Sequence, residues 1–239
     1  MTTMHDKGVV IKEFSPEQRI CHSLMLNVYC IKEVGIMSGK MGVLLALMEY
    51  NRSCPNPVYD DFIEDFIDDI WAHIHNKLPI GFAEGLCGIG WAVEYLIQQQ
   101  IIEGTGVELC SEIDRQLMKL DPRRIDDLSF ETGLEGVLYY VLMHICGALQ
   151  QKQALPFDRL YLDDLHTALN AVEDMNGKRM NDFVKQYNDF YLFNKTPILP
   201  LSLKGLVGTK QLQVESIVHL PIGLNNGIAG LLLKRTIYK

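Results

Sequence analysis

One phrase occurs twice in this chain almost verbatim: LPIGFAEGLCGIG from Leu78 to Gly90, and LPIGLNNGIAG from Leu220 to Gly230. Two weaker versions are VGIMSGKMGVLLAL, from Val34 to Leu47, and DLSFETGLEGVLYY, from Asp127 to Tyr140. All four contain G-x-x-G, at Gly39 and Gly42, Gly85 and Gly88, Gly133 and Gly136, and Gly227 and Gly230. The first glycines are 46, 48 and 94 residues apart, and 94 is twice 47. The series therefore reads as a repeat of roughly 47 residues with one copy worn away, and self-similarity at such a period constrains fold more than any other sequence feature.

The shared columns have physical reasons. Three residues before the first glycine stands Ile36, Phe82, Phe130 or Leu224, and four after it Val43, Ile89, Val137 or Leu231, a pair that reads as an apolar lock. Just before the glycine stands Ser38, Glu84, Thr132 or Asn226, three of which are good helix N-caps, so each copy predicts a loop delivering the chain into a helix. Two glycines in a first helical turn cost roughly 1 kcal/mol each relative to alanine. A close backbone approach, by a neighbouring helix or a ligand, is expected there.

Between the phrases, two kinds of helix alternate. Ser15-Pro16-Glu17-Gln18 predicts a capped start, with Ile20, Leu24, Val28 and Ile31 on one apolar face. Val43 to Met48 is apolar on every side, as a surface helix could not be. After Pro55 and Pro57, Tyr59, Phe62, Ile63, Phe66, Ile67, Ile70, Trp71 and Ile74 keep three-four spacing against a row of aspartates and glutamates that reads as a solvated face. Gly85 to about Gln100 and Gly133 to about Gln150 are again enclosed types. Leu109, Ile113, Leu117 and Leu120 predict one amphipathic helix between them, and Asp158 to Asp174 another. The worn copy is placed near Gly177, launching a more polar helix over about Lys178 to Phe193, and the last helix starts near Asn226. Thr196 to His219, with an out-of-phase G-x-x-G at Gly205 and Gly208, is ambiguous.

This alternation predicts an all-α chain forming a single domain over residues 1–239: an α/α toroid of about five helical hairpins, with the phrases gathered at one end. An open solenoid is the other all-α layout, but solenoids carry polar terminal caps, and this chain ends on one of its best copies. The helix N-termini are expected to give a rim of unsatisfied N–H groups and positive dipole ends around a cavity mouth. A net charge of −8 with no Lys/Arg cluster argues against nucleic acid. The six cysteines form no C-x-x-C pair, the start MTTMHDKGVV has no basic region before an apolar run, and no 18-residue apolar stretch occurs. Free thiols, a cytoplasmic location and no membrane insertion are the expectation.

Four G-x-x-G phrases in phase, one reading GIAG at Gly227 to Gly230, resemble the LanC-like proteins, the lanthionine cyclases and their relatives, over nearly the whole chain. The resemblance implies a toroid that binds a peptide carrying dehydrated serine or threonine, to which a cysteine thiol is added at a zinc ion held by two cysteines and a histidine. This chain departs from that pattern. Asn225 and Asn226 stand where a Cys-His pair precedes the last G-x-x-G, and amide oxygens are poor zinc ligands beside thiolate and imidazole. Cys21-His22, His73-x-His75 and His144-x-Cys146 do not share a helix face and are poorly spaced to chelate. No metal or other cofactor is expected.

The candidate site residues are those the toroid would bring to its mouth. Glu84, Glu131 and Glu135 are candidate acid and base groups, with Cys87, in a first helical turn where a thiol pKa falls, as a candidate nucleophile. Ser38, Lys40, Thr132, Asn225 and Asn226 are candidate substrate contacts, and the glutamates favour a peptide of basic character. The expected function is LanC-like peptide modification without zinc-dependent cyclisation. Two others stay open: a peptide-binding pseudoenzyme or scaffold, and a glycosidase-like toroid using mouth carboxylates.

Overall fold

The computed structural model describes residues 14–74, 77–172, 177–209 and 220–238. They form α1 (Pro16–Asn27), α2 (Lys40–Ser53), α3 (Pro57–His73), α4 (Leu86–Gln98), α5 (Gly106–Leu109), α6 (Ser111–Leu117), α7 (Leu134–Gln150), α8 (Arg159–Ala171), α9 (Lys178–Phe193) and α10 (Ile228–Ile237), with short 3-10 turns and no strand among the described residues. The chain is all-α. None of these helices is long and apolar enough to cross a membrane. His75 of the His73-x-His75 spacing lies outside the described residues, as do 210–219 of the ambiguous segment.

Local sequence explains most helix starts. Ser15 and Gln18 form a reciprocal capping box before Pro16, and Asn56, Thr105 and Asp158 each accept an N–H of the helix they precede. The four helices launched by the phrases differ. Their N-caps are Gly39, Gly85, Gly133 and Gly227, with no side-chain capping bond, so the expected caps Ser38, Thr132 and Asn226 do not cap. Instead each loop folds back over the helix start. The N–H groups of Leu86 and Cys87 donate to the carbonyls of Pro79 and Ile80 at 2.9 and 3.1 Å, those of Lys40 and Met41 to Glu33 and Val34, those of Ile228 and Ala229 to Pro221 and Ile222, and that of Leu134 to Asp127. At these positions the expected rim of unsatisfied N–H groups is corrected. The loop carbonyls, tethered seven residues back, satisfy the donors.

The loops also bind one another. The N–H of Asn225 donates to the Met37 carbonyl at 3.2 Å, that of Met37 to Ala83 at 2.9 Å, and that of Ala83 to Glu131 at 2.8 Å. All four residues hold the same position in their copies. The apolar residue of each loop then sits on the second glycine of the next copy: a β-carbon on Gly88 would fall 2.7 Å from Ile36 Cγ2, one on Gly136 2.7 Å from Phe82 Cβ, and one on Gly42 2.9 Å from Leu224 Cγ. This is the close approach the glycines predict. The helices follow the loops: α10 packs on α2, α2 on α4, α4 on α7 and α7 on α9.

Enclosure matches this order. Every residue of α2 from Lys40 to Tyr50 and of α4 from Leu86 to Ile97 is buried, and so is nearly all of α7. Amphipathic α1 and α3 pack outside, and Arg235 of α10 bonds Glu17 of α1 at 2.9–3.0 Å. The amphipathic helix expected from Leu109 to Leu120 is broken at Cys110 into α5 and α6, leaving Leu109 and Leu120 exposed. The break seats Gly106 directly against the Glu94 carboxylate and brings the Cys110 thiol to the Gly90 carbonyl.

The worn copy is worn in structure too. Gly177 caps α9 at a φ of 130°, where the other four glycine caps lie between −102° and −127°, and nothing stands within 4 Å of where its β-carbon would be. The helix it starts, α9, buries one face only. The vacant place is taken by the out-of-phase G-x-x-G: Val207 Cγ1 lies 3.2 Å from where a β-carbon on Gly230 would stand, and Gly208 packs against the backbone N of Asn226. From α9, where Gln186 accepts the Ile198 N–H at 2.7 Å, the chain therefore runs across to the α10 loop. Among the described residues no packing comparable to the other neighbours joins α9 directly to α10.

Candidate functional site

The loop ladder decides what the expected site residues can do. The Glu84 Oε1 accepts the Ser38 N–H at 3.0 Å, while its Oε2 is buried without a partner. Burial pushes the carboxyl pKa up against the Ser38 bonds that lower it. Glu135 is taken by a two-pronged ion pair with Arg179 at 2.7 and 3.0 Å. Glu131, four residues from Glu135, is exposed and lends its carbonyl to the ladder. The three glutamates thus have three different surroundings and do not converge on a shared proton.

The other candidates are similarly placed. Lys40 is buried and bonded to Asp69 of α3 at 2.5 Å. Cys87 is wholly buried, and burial pushes its thiol pKa up, opposite to the lowering expected at a helix N-terminus; Asp114 adds to the rise. The Thr132 hydroxyl donates to Asp127, whose carboxyl that bond and the Ser129 donors hold below the usual range. Asn225 is exposed and accepts the Asn226 side-chain amide, and Asn226 itself is left-handed at φ 54°. Ser38 is exposed.

Two constellations lie outside the residues expected from sequence. The first is a buried polar chain. His144 Nδ1 meets Glu94 Oε1 at 2.5 Å, its Nε2 meets Asp114 Oδ2 at 2.8 Å, and the Tyr140 hydroxyl donates to Asp114 Oδ1 at 2.6 Å. Burial lowers the imidazole pKa, but the Asp114 and Glu94 bonds outweigh it and lift it from 6.5 to about 9. His144 is thus an imidazolium clamped between two carboxylates, joining α4, α6 and α7. The signal was a Glu and a His inside apolar runs, WAVEYLI and VLMHICG, where a charge needs a buried partner. No three His, Cys, Asp or Glu side chains among the described residues are arranged to hold a metal ion.

The second is a groove of about 690 Å³ where the loop of the third copy, the first turns of α9 and residues 200–206 meet. That volume is within the span of roughly 300–1,000 Å³ of ligand pockets. Its floor is aromatic: Phe130, Tyr139 and Phe183, the last two stacked at 4.9 Å and 8°. The floor continues inward, where Phe82 and Trp91 lie 5.5 Å from Tyr139, filling the space between the buried helices with rings. Over the floor the Arg179 guanidinium lies 3.9 Å from the Phe130 ring centre, held by Glu135, with Lys178 and Lys204 on the rims and Asp182 the one acid in the lining. None of the nine residues expected from sequence lines this groove. Sequence does not reveal the groove, because it depends on the worn copy and on residues 200–206, the parts least readable as a repeat. No family model, no curated protein and no solved structure matches the chain.

Proposed function

We propose that this chain is a LanC-like protein of peptide modification that closes into an α/α toroid and holds a peptide at its glycine-phrase end, with zinc-dependent cyclisation lost. One observation carries the reading: the four in-phase phrases bond to one another in order at one end of the buried helices, and at the end of that ladder, where a copy is worn, an aromatic groove opens. The resemblance supports the fold and the peptide; Asn225 and Asn226 in place of a Cys-His pair support the loss of zinc chemistry. The glycosidase reading needs two carboxylates facing one cavity. Glu84 and Glu135 are each engaged elsewhere, and neither lines the groove.

A library of random linear dodecapeptides displayed on phage, panned against the immobilised protein, tests the proposal. Enrichment of related sequences whose synthetic forms bind the wild type, and bind Phe183→Ala at least tenfold more weakly, is expected. No enriched peptide, or hydrolysis of an oligosaccharide panel that disappears with one glutamate, overturns it. Elemental analysis after dialysis is the companion measurement, with no stoichiometric zinc expected.

A further inference from the structure

The groove's charge runs against that of the chain. Overall the protein carries −8, yet the lining holds Lys178, Arg179 and Lys204 against Asp182 alone. Arg179 is already matched by Glu135. Among the described residues neither Lys178 nor Lys204 has an acidic side chain within ion-pair distance, and both are exposed. Among the described residues, two cations without an ion-pair partner therefore flank a floor of three aromatic rings. From Phe130, Tyr139 and Phe183 an incoming ring gains offset or edge contacts beyond its buried area.

Resting on the peptide-binding reading above, we infer that the groove takes an acidic peptide segment bearing an aromatic side chain, the ring on the Phe130–Tyr139–Phe183 floor and flanking carboxylates on Lys178 and Lys204. This reverses the basic character expected from Glu84, Glu131 and Glu135. The reversal has a cause: Glu135 is neutralised by Arg179, the Glu84 Oε1 accepts the Ser38 N–H, and Glu131, though exposed, does not line the groove. Arg179 contributes by position, since its pairing with Glu135 and its place over Phe130 fix one wall. Complementary charge of this kind sets specificity and association rate more than affinity.

Three labelled octapeptides test it by fluorescence anisotropy with the full chain: an acidic one with a central phenylalanine, the same with alanine for phenylalanine, and a lysine-for-glutamate version keeping the ring. The acidic aromatic peptide is expected to bind at least tenfold tighter than either other, and its binding to weaken several-fold between 50 and 300 mM salt, on the order expected for partly exposed charges. Lys178→Glu with Lys204→Glu, both surface changes whose folding is checked by thermal melting, should invert the preference toward the basic peptide. An acidic preference unchanged in that double variant overturns the inference, as does binding indifferent to the ring. If the basic peptide binds the wild type and the acidic one does not, this inference fails and the peptide reading survives. If no octapeptide binds and panning enriches none, both fail together.

Discussion

The backbone N–H of Met37 donates to the carbonyl of Ala83 at 2.9 Å, and the two residues hold the same position in consecutive copies of the phrase. Repetition therefore acts at the level of the peptide bond. The Met37 carbonyl in turn accepts the N–H groups of Leu224 and Asn225, and the Ala83 N–H donates to the Glu131 carbonyl, extending the series on both sides.

The glycine seats give the sharpest stability test. Alanine at Gly88 gains about 1 kcal/mol of helix propensity, yet its β-carbon would run into the Phe82 carbonyl and lie 2.7 Å from Ile36 Cγ2. Overpacking against backbone should win, with a net loss of about 2 kcal/mol or more in urea unfolding. Gly205→Ala, with nothing within 4 Å, should change stability by less than about 0.5 kcal/mol. Equal effects at the two sites would show that the loop ladder does not depend on the glycine.

His144 predicts a pH window. Its folded pKa of about 9 lies above the 6.5 of a free imidazole, so its stabilisation is complete below about pH 6.5 and is lost as pH rises through about 9. The loss is on the order of 3 kcal/mol. Melting temperatures from pH 6 to 10 should fall across that window. His144→Gln should flatten this dependence and lower stability at pH 6, because it strands the Glu94 and Asp114 carboxylates in the core.

Thiol reactivity should sort by burial. Cys30 and Cys54 are exposed, whereas Cys21, Cys87, Cys110 and Cys146 are buried, and burial raises the thiol pKa of each of the four. An aromatic disulfide reagent at pH 8 should titrate two thiols quickly in the folded protein and six after denaturation. Rapid modification of Cys87, located by mass spectrometry, would restore it as a nucleophile candidate.

The Arg179–Glu135 pair joins α9 to the start of α7. Because the guanidinium is half exposed, a double-mutant cycle with alanine should give a coupling of about 0.5–1 kcal/mol, smaller at 1 M salt. The groove should feel the change more than the fold does: Arg179→Ala frees the Phe130 face and is expected to alter peptide affinity more than melting temperature.

Much of the architecture was written in local pattern. Ser15 and Gln18 carry their capping box within four residues, α9 follows its predicted span, and the apolar faces of α1, α3 and α8 can be read from three-four spacing. Such features depend on neighbours along one helix, and sequence holds those neighbours in order. For the same reason sequence points to the wrong N-caps. Ser38, Thr132 and Asn226 are good capping residues in isolation, but the loop carbonyls reach the helix N–H groups first, and that depends on a loop trajectory rather than a residue type.

By itself the sequence determined that this chain is helical, that four helix starts are equivalent, and that their glycines must admit something close. Tertiary structure alone decided what comes close: Ile36 on Gly88, Phe82 on Gly136, and Val207 standing in on Gly230 for the missing copy. It also decided which charges survive as charges available to a ligand. Glu135 and Arg179 cancel across 44 residues, His144 joins Glu94 and Asp114 from 50 and 30 residues away, and Lys178 and Lys204 reach the aromatic groove without an ion pair among the described residues. Electrostatic partnership falls off over a few ångströms of space, and the chain's linear order does not encode which distant residues will share them.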